Sequence, residues 1–168
     1  MPRGARQVSR SGVYHIMFRG NERRDIFVND EDRVRFIQLL AEKSMEEGFS
    51  VYAYCLMDNH VHILLSGTHE GLSRLVKRIN TSYVYYFNKK YDRVGHLFHD
   101  RYKSEAVEND TYLLEAVRYI HNNPIKAGMV GEASDYKWSS YRLYLAPEGQ
   151  GQAFIDTEYV LGLFSENL

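Results

Sequence analysis

One cysteine, Cys55, occurs in the 168 residues, so no disulfide can form within the chain. It sits in an apolar run, where a thiol behaves as a small hydrophobe rather than as a reactive group. No segment approaches the roughly 18 consecutive apolar residues of a membrane span, and Met1-Pro2-Arg3-Gly4-Ala5-Arg6 lacks the apolar stretch of a secretory signal. The expectation is a cytoplasmic protein with no membrane partner. Internal repeats and low-complexity segments are also missing. The length suits one domain with a real core, expected over residues 1–145, followed by a polar, glycine-containing tail, 146–168, with a short helix from Thr157 to Phe164.

An excess of charge of one sign is absent too, since the net charge is −1. Its distribution is uneven. Residues 1–24 carry six arginines against one glutamate and residues 72–103 carry eight Lys/Arg against two Asp, while residues 129–168 carry two Lys/Arg against six Asp/Glu. A near-neutral total therefore conceals a polarised surface. In the second basic stretch Tyr83, Tyr85, Tyr86, Tyr91 and Tyr102 interleave with Arg78, Lys89, Lys90, Arg93, Arg101 and Lys103. Such a mixture suits phosphate neutralisation combined with base stacking, and it equally suits a solvated helix face over an aromatic core.

Along the chain, Val13 to Arg19 reads as a strand, followed by a turn at Gly20 to Arg24. Asn29 or Asp30 can cap a helix bearing Val34, Ile37, Leu40, Ala41 and Met45, which Gly48 ends. Val51 to Met57 and Val61 to Leu65 are apolar runs joined by Asp58-Asn59, the pattern of a hairpin. From Gly71, Leu72, Leu75, Val76, Ile79, Tyr83, Tyr86 and Phe87 recur at helical spacing. Ser104 to Val107 supplies a fourth strand, and a third helix, capped by Asn109 or Asp110, is expected to end at Pro124. The order strand, helix, strand, strand, helix, strand predicts an α+β, ferredoxin-like split βαβ fold, with helices on one face of an antiparallel sheet and the other face free to bind.

His60 and His62 are separated by one residue at the start of the second hairpin strand, so a period of two points both imidazoles to one side. Val61, Ile63 and Leu65 then fill the other side. The pair is half of a typical metal-ligand set, or two solvated strand histidines; spacing alone leaves both open. On the third helix Tyr112, Glu115, Ala116, Tyr119 and Asn123 share one face, so Tyr119 and Asn123 stand one turn apart. They offer a nucleophile and an oxygen ligand, with Glu115 a competing ligand. Two imidazoles with an amide or carboxylate oxygen suit Mn²⁺ or Mg²⁺ better than a closed zinc site, which favours cysteines. His121 falls about 160 degrees around the helix from Tyr119 and is not expected to share the metal. His15 reads as structural or DNA-contacting, and His96 and His99 as phosphate contacts or solvated residues.

The motifs then reach a family. Tyr14-His15-Ile16 with Arg19-Gly20-Asn21, Ile26-Phe27, Met57-Asp58-Asn59-His60-Val61-His62, Gly95-His96-Leu97-Phe98 with Arg101-Tyr102-Lys103-Ser104, Arg118 to Pro124 with Ala127-Gly128, and Trp138-Ser139-Ser140-Tyr141 occur in order over about residues 3–145. In these the chain resembles the REP-associated tyrosine transposases, a branch of the one-tyrosine HUH transposases and nucleases. The resemblance implies a metal-dependent single-stranded DNA endonuclease and strand transferase, acting beside hairpins like repetitive extragenic palindromes. It assigns the nucleophile to Tyr119 and the ligands of a Mg²⁺ or Mn²⁺ ion to His60, His62 and Asn123. The better-known insertion-sequence enzymes carry glutamine as the third ligand, so Asn123 is a departure. Attack by tyrosine would give a 5′-phosphotyrosine and a free 3′-OH, and the reverse attack would rejoin strands.

The partner implied is single-stranded hairpin DNA, bound by a monomer or homodimer that associates with the nucleoid. Arg3, Arg6, Arg19, Arg23, Arg24, Arg74, Lys77, Arg78, Lys89, Lys90, Arg101 and Lys103 are the candidate DNA contacts, positioning the strand rather than reading it. Two rival readings are a noncatalytic module that binds single-stranded DNA or RNA hairpins, and a metal enzyme acting on a small molecule in a closed apolar pocket.

Overall fold

The computed structural model describes residues 5–99, 101–146 and 154–166. Arg3 lies outside them. β1 (Val13–Arg19), β2 (Ser50–Leu56), β3 (His60–Ser66) and β4 (Lys103–Val107) form an antiparallel sheet in the order β2-β3-β1-β4. α1 (Asp30–Glu46) and α2 (His69–Lys90) make the two crossovers of the split βαβ arrangement. Asn29 starts α1 through a capping box with Asp32, and Thr68 caps α2 by accepting from the Gly71 N–H at 3.0 Å. The second helix thus begins two residues before the apolar spacing predicts. Gly48, with φ of +74°, makes the left-handed turn between α1 and β2.

β3 has the alternation that its sequence requires. Val61, Ile63 and Leu65 are fully buried beneath α1 and α2 with Tyr14, Ile16 and Phe18 of β1. Each such side chain contributes about 1.5–3 kcal/mol, and a one-residue slip would exchange them for His60 and His62. The register is therefore fixed by the face that carries no chemistry.

The second face is not wholly free, which corrects the expectation of helices on one side only. α3 (Asp110–Lys126) lies across β2 and β3 and buries Leu113, Ala116, Val117 and Ile120 with Tyr52, Ala53, Cys55 and Leu64. α4 (Tyr141–Leu145) follows, and α5 (Thr157–Glu166) adds Val160 and Leu163 to the same cluster. Ile155 pairs with Val51 and reaches the first core, so this part of the tail packs against the sheet. What stays open on the second face is its β1–β4 half. Pro124 is buried inside α3, which continues to Lys126 and so does not end where proline was expected to end it. A ring so close to the last turn removes only one amide donor.

Candidate active site

The tip of the β2–β3 hairpin is held by backbone and side chain together. Gly20 N–H donates to Asn59 O at 2.8 Å, Ile26 N–H donates to Asp58 O at 2.9 Å, and Arg33 donates to Asp58 Oδ1 at 2.7 Å. Asn59 Nδ2 donates to the Arg23 carbonyl at 3.4 Å, which turns its Oδ1 toward His60 Nδ1 at 2.8 Å. An amide oxygen only accepts, so His60 carries its proton on Nδ1 and keeps Nε2 as a free lone pair.

His62 follows on the same face, with its ring centroid 5.2 Å from that of His60 and the rings nearly perpendicular at 85°. Its Nδ1 lies 2.9 Å from His15 Nε2 on β1. Burial holds His62 down to about 3, helped by His15 and His60 beside it. Burial also lowers His60, reinforced by Arg19 and opposed by Asp58, and lowers His15 against the pull of Glu105. All three are neutral imidazoles at neutral pH, the form that ligates metals.

α3 brings Tyr119 over this pair. Its ring centroid is 5.7 Å from His62 and 5.9 Å from His15, in edge-on contact with both, yet the residue is 49 % exposed. It presents its ring to the histidines and part of its surface to solvent. Asn123 follows one turn later, half-buried, and its buried Nδ2 has no protein hydrogen-bond partner. Lys126 Nζ lies 5.8 Å from the Tyr119 ring.

The open half of the sheet face is a groove. One part, of about 390 Å³, is lined by His15, Glu105, Tyr112, Glu115, Ala116 and Tyr119, and an adjoining part, of about 480 Å³, by Met17, His62, Lys103 and Ser104 with His15, Glu105 and Tyr119. No three His, Cys, Asp or Glu side chains cluster at metal-ligating spacing among the described residues. Glu115 therefore does not complete a set with the histidine pair. His60 and His62 offer two imidazole nitrogens, a pair that needs an oxygen donor beside it to suit a hard or intermediate divalent ion.

The other predicted residues divide. Arg19 pairs directly across from His60, and Lys103 lines the groove, so both stand at the site. Arg23, Arg24, Lys77, Lys89 and Arg101 are exposed, and Arg6 stacks on Tyr102 at 3.6 Å. Arg74 is bound to Glu47 at 2.6 Å, and Arg78 to Glu47 at 3.0 Å and to Glu46. Lys90 reaches buried Asp32 at 2.8 Å from the partly exposed end of α2, so it is that carboxylate's counter-ion. His121 is buried with its Nε2 2.7 Å from Ser140 Oγ, apart from the metal site as the helical angle predicts. Sequence reasoning left His15 outside the catalytic set, as structural or DNA-contacting, and did not single out Glu105 or Lys126. His15 shares the strand parity of the open face, but only the register with β3 and β4 puts it against His62.

The sequence over residues 9–123 matches the family model described as Transposase IS200 like. No curated protein matches the chain significantly. Among solved structures, a REP-associated tyrosine transposase bound to a REP hairpin superposes with a TM-score of 0.71 at 17 % identity, covering 93 % of this chain and 98 % of that one. A transposase-like protein from Deinococcus radiodurans R1 gives a TM-score of 0.48 at 20 % identity, covering 73 % of this chain and 95 % of that one.

Proposed function

Because the chain belongs to the IS200-like transposase family, we propose that it is a metal-dependent single-stranded DNA nickase and strand transferase acting beside a DNA hairpin. The observation that carries this reading is Tyr119, half-exposed on α3 and 5.7 Å, ring to ring, from buried, neutral His62. His60 and His62, each engaged at Nδ1, would hold Mg²⁺ or Mn²⁺ together with Oδ1 of Asn123. When bound, the ion supplies Lewis acidity toward a non-bridging oxygen of the scissile phosphate.

The bond-making falls to Tyr119. Its Oη attacks phosphorus, the bond to the 3′ oxygen breaks, the phenol proton leaves to solvent and the departing oxygen gains one. The 5′-phosphotyrosine keeps the energy of the phosphodiester, so a 3′-OH can attack it and rejoin strands without ATP. Arg19, Lys103 and Lys126 surround this point and would neutralise the phosphates on either side. The hairpin bound by the similar structure supports hairpin DNA as the partner.

The test is incubation with labelled single-stranded hairpin DNA and Mg²⁺ or Mn²⁺, followed by denaturing electrophoresis. A covalent adduct in the wild type, absent with EDTA and in Tyr119→Phe, is expected. An equal adduct from Tyr119→Phe would overturn the nucleophile. Tight binding to a panel of hairpins with no adduct would point to the noncatalytic module instead.

A further inference from the structure

The groove has a residue that the metal site as proposed does not use. His15 Nε2 lies 2.9 Å from His62 Nδ1. Two ring nitrogens at that distance share one proton, because two lone pairs or two N–H groups would repel. The proton can sit on either ring. If it sits on His15 Nε2, His62 becomes the acceptor and its own proton moves to Nε2, blocking the lone pair that faces Tyr119 and the metal. If it sits on His62 Nδ1, His62 Nε2 is free and His15 carries its proton on Nδ1.

One feature selects the second arrangement. The residue paired with His15 across β1 and β4 is Glu105, whose carboxylate shares the groove wall and favours an N–H on the His15 ring edge left free by His62. Glu105 is itself held by the Tyr112 hydroxyl, which donates to Oε1 from α3. The Tyr119 ring packs edge-on beside His15 at 5.9 Å and supports its orientation toward His62.

We propose that His15 is a positioning residue: by accepting the Nδ1–H of His62 it sets the tautomer and ring orientation that leave His62 Nε2 available to a divalent ion. The inference rests on His62 being a metal ligand. It makes the two ligands equivalent in design, since Asn59 does for His60 what His15 does for His62. One acceptor comes from the adjacent residue and the other from a neighbouring strand, so only the second is coupled to the β1–β4 groove.

Mn²⁺ titration followed by electron paramagnetic resonance, without DNA, tests this in wild type, His62→Ala, His15→Ala and His15→Gln. His15→Ala is expected to weaken Mn²⁺ affinity about 10–100-fold. His15→Gln, whose amide oxygen can replace the accepting nitrogen, is expected to restore most of it. Nitrogen-15 NMR of the metal-free wild type should show His62 protonated at Nδ1, and His15→Ala should shift it toward the Nε2–H form. A wild-type His62 protonated at Nε2, or undiminished Mn²⁺ affinity in His15→Ala, overturns the proposal. Undiminished affinity in His62→Ala instead overturns the ligand assignment beneath it, so the two failures are distinguishable. The NMR measurement on the wild type stands even if His15→Ala does not fold.

Discussion

Two polar clusters sit on opposite sides of one sheet, and they are finished in opposite ways. Beneath α1 and α2, Asp32 is 0 % exposed and accepts from Tyr91 Oη at 2.6 Å, Lys90 Nζ at 2.8 Å, Tyr86 Oη at 2.9 Å and Val28 N–H at 2.9 Å. Burial works against its charge, but Lys90 and the tyrosine hydroxyls outweigh it and hold the carboxyl below its usual range. Its bonding capacity is used up. On the α3 side, His60 and His62 are each bonded at Nδ1, His60 with its Nε2 lone pair left free, Asn123 has a buried amide nitrogen without a partner, and Tyr119 is half-exposed. Unspent bonding capacity in an ordered site is what a ligand completes; saturated capacity holds a fold together.

The sharpest way to break that comparison is a pair of variants. Tyr119→Phe should reduce adduct formation at least about 10⁴-fold, as loss of a nucleophile does, while leaving urea stability within about 0.5 kcal/mol. Asp32→Ala should do the reverse. It leaves the hydroxyls of Tyr86 and Tyr91 and the Val28 N–H without their shared acceptor and breaks the reciprocal half of the α1 capping box, a loss of about 1–3 kcal/mol, with adduct yield per folded molecule unchanged. If folded Asp32→Ala loses chemistry as completely as Tyr119→Phe, the two sides of the sheet are not independent.

The difference between the clusters also explains what could be read from sequence. β1 was legible to the residue, because alternation and Gly20 mark both its sides, and His60 and His62 were legible because parity is a local property. Tyr119 and Asn123 were legible as one helix face. Lys90 was not, since it shares its stretch with exposed Lys89, and only tertiary packing brings Asp32 within 2.8 Å of it. The contact of His15 with His62, and Glu105 altogether, escaped for the same reason, because both depend on strand register across residues far apart. Pro124 misled because the rule for proline applies to a helix interior more strongly than to its last turn.

Acid separates the two sides without mutation. A histidine with a depressed folded value binds fewer protons when folded than when unfolded, so its contribution is complete above the ordinary value of 6.5 and is lost as pH falls toward the folded one. For His62 that window runs from 6.5 down to about 3, and for His121 to about 4. Asp32 starts to lose its contribution only below 3.8. With EDTA present, stability should therefore fall between pH 6.5 and 4 by up to about 1.4 kcal/mol per pH unit per histidine, and His62→Gln should flatten that slope. A slope unchanged by His62→Gln would mean that the metal-side histidines do not carry the early acid loss.

The smallest effect divides the basic residues by whether their charge is already engaged. Lys103 lines the groove, so Lys103→Ala should lower the salt dependence of single-strand binding by about 0.7 in log K per log salt, the value of one phosphate contact. Arg74→Ala should change that slope little, because Arg74 is paired with Glu47 at 2.6 Å and its charge is already balanced on α1. Lys90→Met should leave the slope alone and lower stability instead, since its ammonium is spent on Asp32. Filter binding over a salt series reads all three. Equal slopes for Lys103→Ala and Lys90→Met would show that charge on this protein meets DNA through its overall field, and that the division into engaged and free cations has no consequence for binding.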